Sequence, residues 1–349
     1  MSFYLSVNNV LELTIGGNKM KLIKEVKHFS HSDLDGIGCI VMAKHLFTHT
    51  AYEVCDYDNV DDKVTNFIMK YVDAEGTVKE VCPYELILIT DISVKDETAI
   101  MLDQFSKITN TQIILIDHHK TSMYLTEYDW AEVNYEINGV KTSGTSEMMR
   151  LLVRTHPTLS AIEVENLGIA DFAEQVRLYD TWDWTRVGVD KPRLMHELLM
   201  IIGRDEFIKR FTEDLDVEFS KEEQYLLDME VKRIERFVRK KAKQMIETEL
   251  HGYKVGVVYA EEHHSVLGNE LCKMFPEIDF VIIMNLGAAK VSFRATKEGI
   301  DVGAFAKEFY DGGGHAPAAG CEFKEQKRLN VFKLIMDNED FLAKLKFMI

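Results

Sequence analysis

Two stretches of this chain are continuously apolar, YELILIT (84–90) and TQIILI (111–116), and each runs into an aspartate, Asp91 and Asp117. Apolar runs of that length without polar alternation predict parallel strands buried on both faces. Between them, KDETAIMLDQFSKI (95–108) has helical spacing and supplies the crossover a parallel pair requires. Upstream, a strand over roughly Val26 to Phe29 leads through His31–Asp35 into GIGCIVMAKHLF, which reads as a helix. GTSEMMRLLVRT (144–155) starts at a Ser/Thr cluster able to cap a helix and stops before Pro157, and residues 161–180 also read as helical. A charged stretch rich in Met and Leu, from about 194 to 250, predicts further helices, LLDMEVKRIERFVRKKAKQMIETEL (226–250) the clearest. The period then shortens again. YKVGVVYA (253–260), FVIIMN (280–285) and KVSFRA (290–295) read as strands, the last two joined through LGAA as a hairpin, ahead of a glycine run at 312–314. Residues 1–25 are weakly patterned and are read as an extension or a peripheral hairpin. The pattern predicts an α/β protein with two lobes joined by a helical connector.

Length agrees with that division: 349 residues correspond to about two domains at ~150 residues each. With 46% hydrophobic and 28% charged residues and only 5 prolines, collagen-like, low-complexity and wholly disordered readings are excluded. No apolar run reaches the ~18 residues of a membrane span, so no membrane association is expected. The first residues do not read as a signal peptide, and a cytoplasmic setting is expected. Five scattered cysteines without a CxxC pair argue against a disulfide framework or a thiolate zinc site.

The formal charge of −17 changes the picture more. From Tyr253 onward there are 12 Lys+Arg and 14 Asp+Glu, so residues 1–252 hold −15 of it. Such a chain is poorly suited to gripping long nucleic acid through its general field. Its acidic part is either a solvated surface or a place where divalent metal neutralises carboxylates.

Four Asp/His clusters decide between those readings. They are His31-Ser32-Asp33-Leu34-Asp35-Gly36, Thr90-Asp91, Asp117-His118-His119-Lys120 and Tyr179-Asp180-Thr181, placed at expected C-terminal strand ends or helix starts, where open α/β sheets bind ligands. Each alone has a bland explanation: an Asp after a strand commonly caps a helix, and paired histidines commonly pack. Together they are hard to obtain by chance. Carboxylates crowded at one edge raise one another's pKa unless a cation sits among them, and mixed Asp and neutral His ligands suit Mn²⁺, Fe²⁺, Co²⁺ or Zn²⁺, with carboxylate-rich sets leaning to Mn²⁺.

The segments HSDLDG, TDIS, IDHHKT and LYDTW resemble the signature of the DHH phosphoesterase superfamily, and GGGHAPAAG resembles the glycine-rich motif of the associated DHHA1 domain. Within the superfamily, HSDLDGIGC, IDHHKT and YDTWDW are most similar to the oligoribonuclease (nanoRNase) NrnB-like branch. The resemblance implies a DHH domain over 26–190 with a parallel sheet flanked by helices, a helical connector over 191–250 and a smaller α/β DHHA1 substrate-binding domain over 251–349, after an N-terminal extension over 1–25.

It also implies roles. His31 and Asp33 hold one metal ion; Asp35, His118 and Asp180 hold another; Asp91 bridges both; and Asp117 orients a histidine. His119 faces the substrate phosphate, and Asp91, His118 and His119 make up the catalytic set. Arg294 and the run Gly312, Gly313, Gly314 and His315 bind the rest of the substrate. The chain departs from the pattern in having three glycines rather than four, preceded by Asp311, and Ala295 where many members have Ser, which bears on substrate preference.

Physical chemistry accommodates these roles. Paired divalent ions activate water and stabilise both oxygens of a phosphoryl displacement, and a bridging position wants a carboxylate because it has one oxygen for each ion. Arginine offers a planar fork for an anion, and glycines let backbone N–H groups approach one.

The expected activity is therefore that of a metal-dependent phosphodiesterase cutting short oligoribonucleotides to mononucleotides with two divalent ions, Mn²⁺ first and Mg²⁺ or Co²⁺ as substitutes. A linear or cyclic dinucleotide messenger (pApA, cyclic di-AMP) or pAp is the alternative substrate, a long-strand exonuclease stands third, and an inactive nucleotide sensor is the reading from another class. Short RNA or a small nucleotide is the expected partner, with a homodimer left open. Elsewhere, Trp182 and Trp184 are read first as core packing, His263-His264 as a solvated turn, and the basic residues of the connector as a solvated face interleaved with Glu.

Overall fold

The computed structural model describes residues 13–15, 18–20, 25–155 and 168–322. The chain divides into two compact units, Met1–Leu227 and Asp228–Ile349. After a small antiparallel pair, β1 (Leu13–Ile15) and β2 (Asn18–Met20), the first unit is built on β3 (Glu25–His31), β4 (His49–Cys55), β5 (Leu86–Thr90), β6 (Gln112–Asp117) and β7 (Ala131–Val133). These form one parallel sheet in the order β4-β3-β5-β6-β7. The crossovers carry α1 (Leu34–Leu46), α2 (Val60–Tyr71) and α3 (Asp96–Thr109).

The unbroken apolar runs have the cause expected of them. Along β5, Leu86 and Leu88 pack into one core with α1, whereas Ile87 and Ile89 pack into a second core with α2 and α3. Both faces are covered, so no position on the strand is free to be polar. A short hairpin, β8 (Glu136–Ile137) with β9 (Val140–Lys141), leads to α4 (Gly144–Thr155), whose bounds coincide with those read from the sequence. The helical stretch read over 161–180 is seen as α5 (Ile169–Asp180), its first part falling outside the described residues, followed by the one-turn α6 (Asp183–Val187).

The segment expected to be a connector from residue 191 behaves otherwise. Helices α7 (Lys191–Ile202) and α8 (Arg204–Glu213) place Met195, Leu198, Phe207 and Phe211 in the same core as α1, α4 and α5. Their amphipathic faces are consumed by the first unit, so they complete its second layer. The long helix also ends earlier than its charge pattern suggested: α9 spans Lys221–Ala242, and β10 (Ile246–Leu250) is a strand. IETEL alternates apolar and polar, and it turns back on β11 (Tyr253–Tyr259) through His251 and Gly252, both at positive φ (51° and 82°), the geometry of a tight two-residue hairpin.

The second unit carries a six-stranded sheet in the order β10-β11-β12-β13-β15-β14, comprising β12 (Phe280–Asn285), β13 (Lys290–Arg294), β14 (Gly313–His315) and β15 (Ala318–Glu322). Only β11 and β12 are parallel, joined across α10 (His264–Met274), and β12–β13 is the expected hairpin. Val258, Leu267 and Ile283 fill one face, and Phe280, Phe293 and Phe305, the last from α11 (Val302–Tyr310), fill the other. Among the described residues no helix is long and apolar enough to cross a membrane.

If α8 belongs to the first core, Phe211→Ala leaves a cavity there and lowers unfolding free energy by about 3–5 kcal/mol. Urea denaturation of the full chain measures it, and a loss below about 1 kcal/mol would return the segment to the status of a linker.

Candidate metal centre

In the first sheet the chain leaves β3 toward β4 on one side, while β5 lies on the other. The carboxyl ends of β3 and β5 therefore border the point where strand order reverses, the usual ligand crevice of an open parallel sheet. His31 ends β3, Asp91 follows β5, and Asp117 ends β6 with His118 and His119 directly after it. Asp180 arrives at the same place from the C-terminal end of α5.

Two triads result, each with one ligand atom per residue and all three atoms within 4.8 Å of one another: His31, Asp33 and Asp91, and Asp35, His118 and Asp180. His31 Nδ1 lies 3.1 Å from Asp33 Oδ2 and 3.5 Å from Asp91 Oδ2. His118 Nε2 lies 3.1 Å from Asp91 Oδ1, 3.5 Å from Asp35 Oδ2 and 3.6 Å from Asp180 Oδ2. The two oxygens of Asp91 thus face different triads.

Backbone dipoles hold the outer carboxylates. Asp33 caps α1, its Oδ1 accepting the Gly36 N–H at 3.1 Å while Oδ2 turns to His31, so the ordinary capping role and a ligand role coexist in one side chain. Asp35 is gripped by the start of α4: Gly144 N donates to Oδ2 at 2.6 Å and Thr145 N to Oδ1 at 2.9 Å, with the Thr145 hydroxyl on the Asp35 carbonyl at 2.7 Å. A Cβ at position 144 would stand 2.8 Å from Asp91 Cβ and 3.2 Å from Asp35 Oδ2. Only glycine lets that helix end approach. The sequence signal was present, since GTSE was read as a capped helix start, but the capping groups were expected to serve their own helix and not a carboxylate 109 residues earlier.

Asp91 itself sits at φ 58°, a left-handed conformation that costs a non-glycine residue about 1–2 kcal/mol. Behind it, Thr90 Oγ1 is hydrogen-bonded at 2.7 Å to both the buried His28 Nε2 and Ser30 Oγ, which fixes the end of β5 from inside the sheet. Asp117 groups with Asp91, His118 and His119, one ligand atom of each lying within 4.8 Å of the others. Its Oδ1 accepts from the backbone N–H of His118 at 2.7 Å and meets His119 Nδ1 at 2.7 Å, so it sets the His119 ring and leaves Nε2 facing outward.

Electrostatics test whether a divalent cation fits here. Among the described residues Asp33, Asp35, Asp91 and Asp180 have histidines and no Lys or Arg as ion-pair partners. Asp91 Oδ2 is buried without a hydrogen bond. Burial, then the Asp35 and Asp33 charges, push the Asp91 carboxyl well above its usual range. Burial lowers His31, but hydrogen bonds and charges from Asp33 and Asp91 outweigh it and lift the imidazole to about 10. His118 rises likewise, the Asp35 and Asp180 charges prevailing over burial. All three directions show a pocket that favours added positive charge. The donor set, carboxylate oxygens and imidazole nitrogens, is that of divalent first-row metals, so residues and group fit.

The C-terminal residues singled out in the sequence form a second arrangement, within the other unit. In strand register Ala318 opposes Arg294 on one side and His315 on the other, and directly opposed residues of antiparallel strands share a face. Arg294 donates to Ser265 Oγ at 3.1 Å and to the Phe293 carbonyl at 2.9 Å. Its Nε is buried without a partner, and among the described residues no carboxylate pairs with it. The glycines serve packing as well as access: Gly314 has φ 143°, and a Cβ there would meet the Ala318 carbonyl at 2.5 Å, whereas Gly313 has open space around it.

Trp182 is not core. It is 41% exposed at φ 62°, stacked along Tyr179 just beyond Asp180. His263 starts α10 against the Arg233 guanidinium and is no free turn, while Arg233–Glu230 and Arg239–Glu235 follow the solvated, Glu-interleaved pattern expected of the basic helix.

A DHHA1 domain family matches residues 252–339. Over 304 residues, 85% of this chain and 73% of the relative, the chain is 34% identical to oligoribonuclease NrnB of Bacillus subtilis (strain 168). Among solved structures, RecJ from Thermus thermophilus in complex with Mn²⁺ superposes with a TM-score of 0.52 over 89% of this chain and 52% of that one, at 15% identity, a likeness of fold alone. With signature segments, parallel sheet and C-terminal sheet domain agreeing, the chain belongs to the DHH/DHHA1 phosphoesterase family and is a phosphoester hydrolase.

Proposed function

We propose that this chain is a divalent-metal-dependent phosphodiesterase that hydrolyses short oligoribonucleotides to mononucleotides. The observation that carries the reading is Asp91, with Oδ2 toward the His31–Asp33 triad and Oδ1 toward His118, Asp35 and Asp180. His31, Asp33 and Asp91 would hold one ion, and Asp35, His118, Asp180 and the same Asp91 the other. Bound there, two divalent cations, Mn²⁺ first by donor type, supply Lewis acidity to the phosphoryl group and acidify a water to near neutrality.

The chain's own groups do the remainder. His119, its Nδ1 committed to Asp117, presents Nε2 to a nonbridging phosphoryl oxygen as charge develops there. Burial works against its proton, but the Asp117 hydrogen bond and charge prevail and raise its pKa, which favours the donating form. Arg294, with no carboxylate partner among the described residues, offers its guanidinium to an anionic group of substrate, with His315 and the accessible Gly313 on the next strand but one. Short RNA is preferred to long strands because a chain of net charge −17 repels a polyanion, and NrnB, the relative at 34% identity, is an oligoribonuclease.

Purified protein with Mn²⁺ should convert a labelled RNA dinucleotide to mononucleotides; an intact dinucleotide after hours refutes the proposal, and faster turnover of pApA, cyclic di-AMP or pAp would reassign the substrate. Asp91→Asn should lower kcat by about 10³-fold or more while the protein still folds, as losing a preorganised contact to developing charge does. Arg294→Ala should raise KM with kcat largely kept, and equal effects of the two substitutions on both constants would contradict the assigned roles. At a hundredfold excess over its Kd, Mn²⁺ should stabilise the wild-type fold by about 2.7 kcal/mol, reversed by chelator and absent in Asp91→Asn.

A further inference from the structure

The turn after β4 brings an aromatic ring to the metal centre that no sequence signal announced. Strand register pairs Cys55, the last residue of β4, directly with His31, the last of β3, so the chain leaves β4 beside the first metal triad. Two residues on stands Tyr57. Its ring centroid lies 5.2 Å from that of His31 and 6.3 Å from that of His119, edge-on to the latter at 88°. It is nevertheless 50% exposed.

Exposed aromatics are common on protein surfaces, and exposure alone would say nothing. Three further observations separate Tyr57 from the others. The turn is pinned to the metal-binding motif itself, because Ser32, between His31 and Asp33, donates its hydroxyl to the Asp56 carboxylate. It is closed internally by Asp56 N to Asn59 Oδ1 and by Asn59 N to the Asp56 carbonyl, both at 3.0 Å. And the Tyr57 hydroxyl makes no hydrogen bond among the described residues, so only ring contacts hold the side chain there. The result is a half-open π-surface on a hydrogen-bonded turn, beside the histidine proposed to meet the phosphate.

We propose that Tyr57 is a specificity-determining residue that stacks on the nucleobase next to the scissile phosphate. A base is joined to its phosphate by one sugar, so a phosphate at His119 carries its base to about the place where the Tyr57 ring stands open. Stacking is tolerant of base identity because every base has a π-face, and it adds no positive charge to an acidic surface. An aromatic wall therefore lets this site grip a nucleotide while leaving its overall charge unfavourable to long strands. The inference rests on the oligonucleotide reading above and adds the part of the substrate that the metal ligands do not contact.

The test compares the full-length Mn²⁺-loaded enzyme with Tyr57→Ala and Tyr57→Phe. The substrates are an RNA dinucleotide, the same dinucleotide with one base removed on either side, and one carrying 2-aminopurine, whose fluorescence is quenched on stacking. Tyr57→Ala should weaken the intact dinucleotide by about 5- to 150-fold, mainly in KM, as deletion of a stacking ring does, and should abolish the quench seen by stopped-flow before turnover. Tyr57→Phe should restore both, and on the abasic dinucleotide lacking the stacked base wild type and Tyr57→Ala should converge, with Mn²⁺ binding equal in all three proteins. The proposal is overturned if Tyr57→Phe falls with Tyr57→Ala, since the hydroxyl would then be the active part. An equal loss on every abasic substrate, or lost Mn²⁺, would mean that the ring only supports the fold, and no loss at all would mean that it does nothing. Failure of wild type to process any RNA dinucleotide is seen before a variant is made, and it removes the oligonucleotide reading and this inference together.

Discussion

Four carboxylates meet two imidazoles in the first unit, with no lysine or arginine among the described residues pairing with them, and that repulsion constrains the surrounding structure. In water such groups would separate. Here the sheet edge and two helix starts force them together, and protons are drawn in: His31 and His118 hold theirs more tightly and the Asp91 carboxyl is pushed toward its neutral form. The partial positive charge of helix N-termini supplies the rest, with Gly36 N–H on Asp33 and Gly144 and Thr145 N–H on Asp35. Backbone donors occupy the carboxylates from behind without neutralising them, which leaves lone pairs and net negative charge facing inward. A divalent ion entering must displace protons, so affinity for it falls in acid.

The parallel sheet is what makes such crowding tolerable. Strands packed on both faces interdigitate with a separate core on each side, so a shift of register would mispack both, and the ends of β3, β5 and β6 are fixed relative to one another. Asp91 in a left-handed conformation is accommodated on that scaffold because β5 is wholly buried and its end is tied through Thr90 to His28 and Ser30. Strain placed at a residue whose two oxygens face two ligand sets is strain placed where aim matters, and the neighbouring core over-determines it.

Much of this was legible in the sequence, and the limits have physical causes. The strands that read clearly, β5 and β6, are those buried on both faces, where composition must be uniformly apolar. β4 was not seen, because HTAYEVC lies at the sheet edge with a mixed burial pattern and carries no strong period. With it went the Tyr57 turn, whose position depends on register between β3 and β4 and on nothing local. The helix expected over 226–250 stops at Ala242: charged residues continue past it, but the period changes there from helical to alternating. Clusters of His and Asp could be read one by one, since each is contiguous. The clamp of α4 on Asp35 spans more than a hundred residues, and a capped helix start looks the same whether it holds its own side chain or another's.

On the proposed reading, charge distribution sets substrate length in two ranges. Close to the ions a phosphate is attracted; beyond about 8 Å at physiological ionic strength that attraction is screened, and further phosphates meet a surface whose first 252 residues carry −15. Each added nucleotide past the first few therefore contributes repulsion and ordering entropy without a compensating contact. A chain that needed long strands would carry a basic groove in the metal-bearing part. The metal-bearing part instead offers an aromatic ring beside the metal centre, an uncharged contact for a single nucleotide.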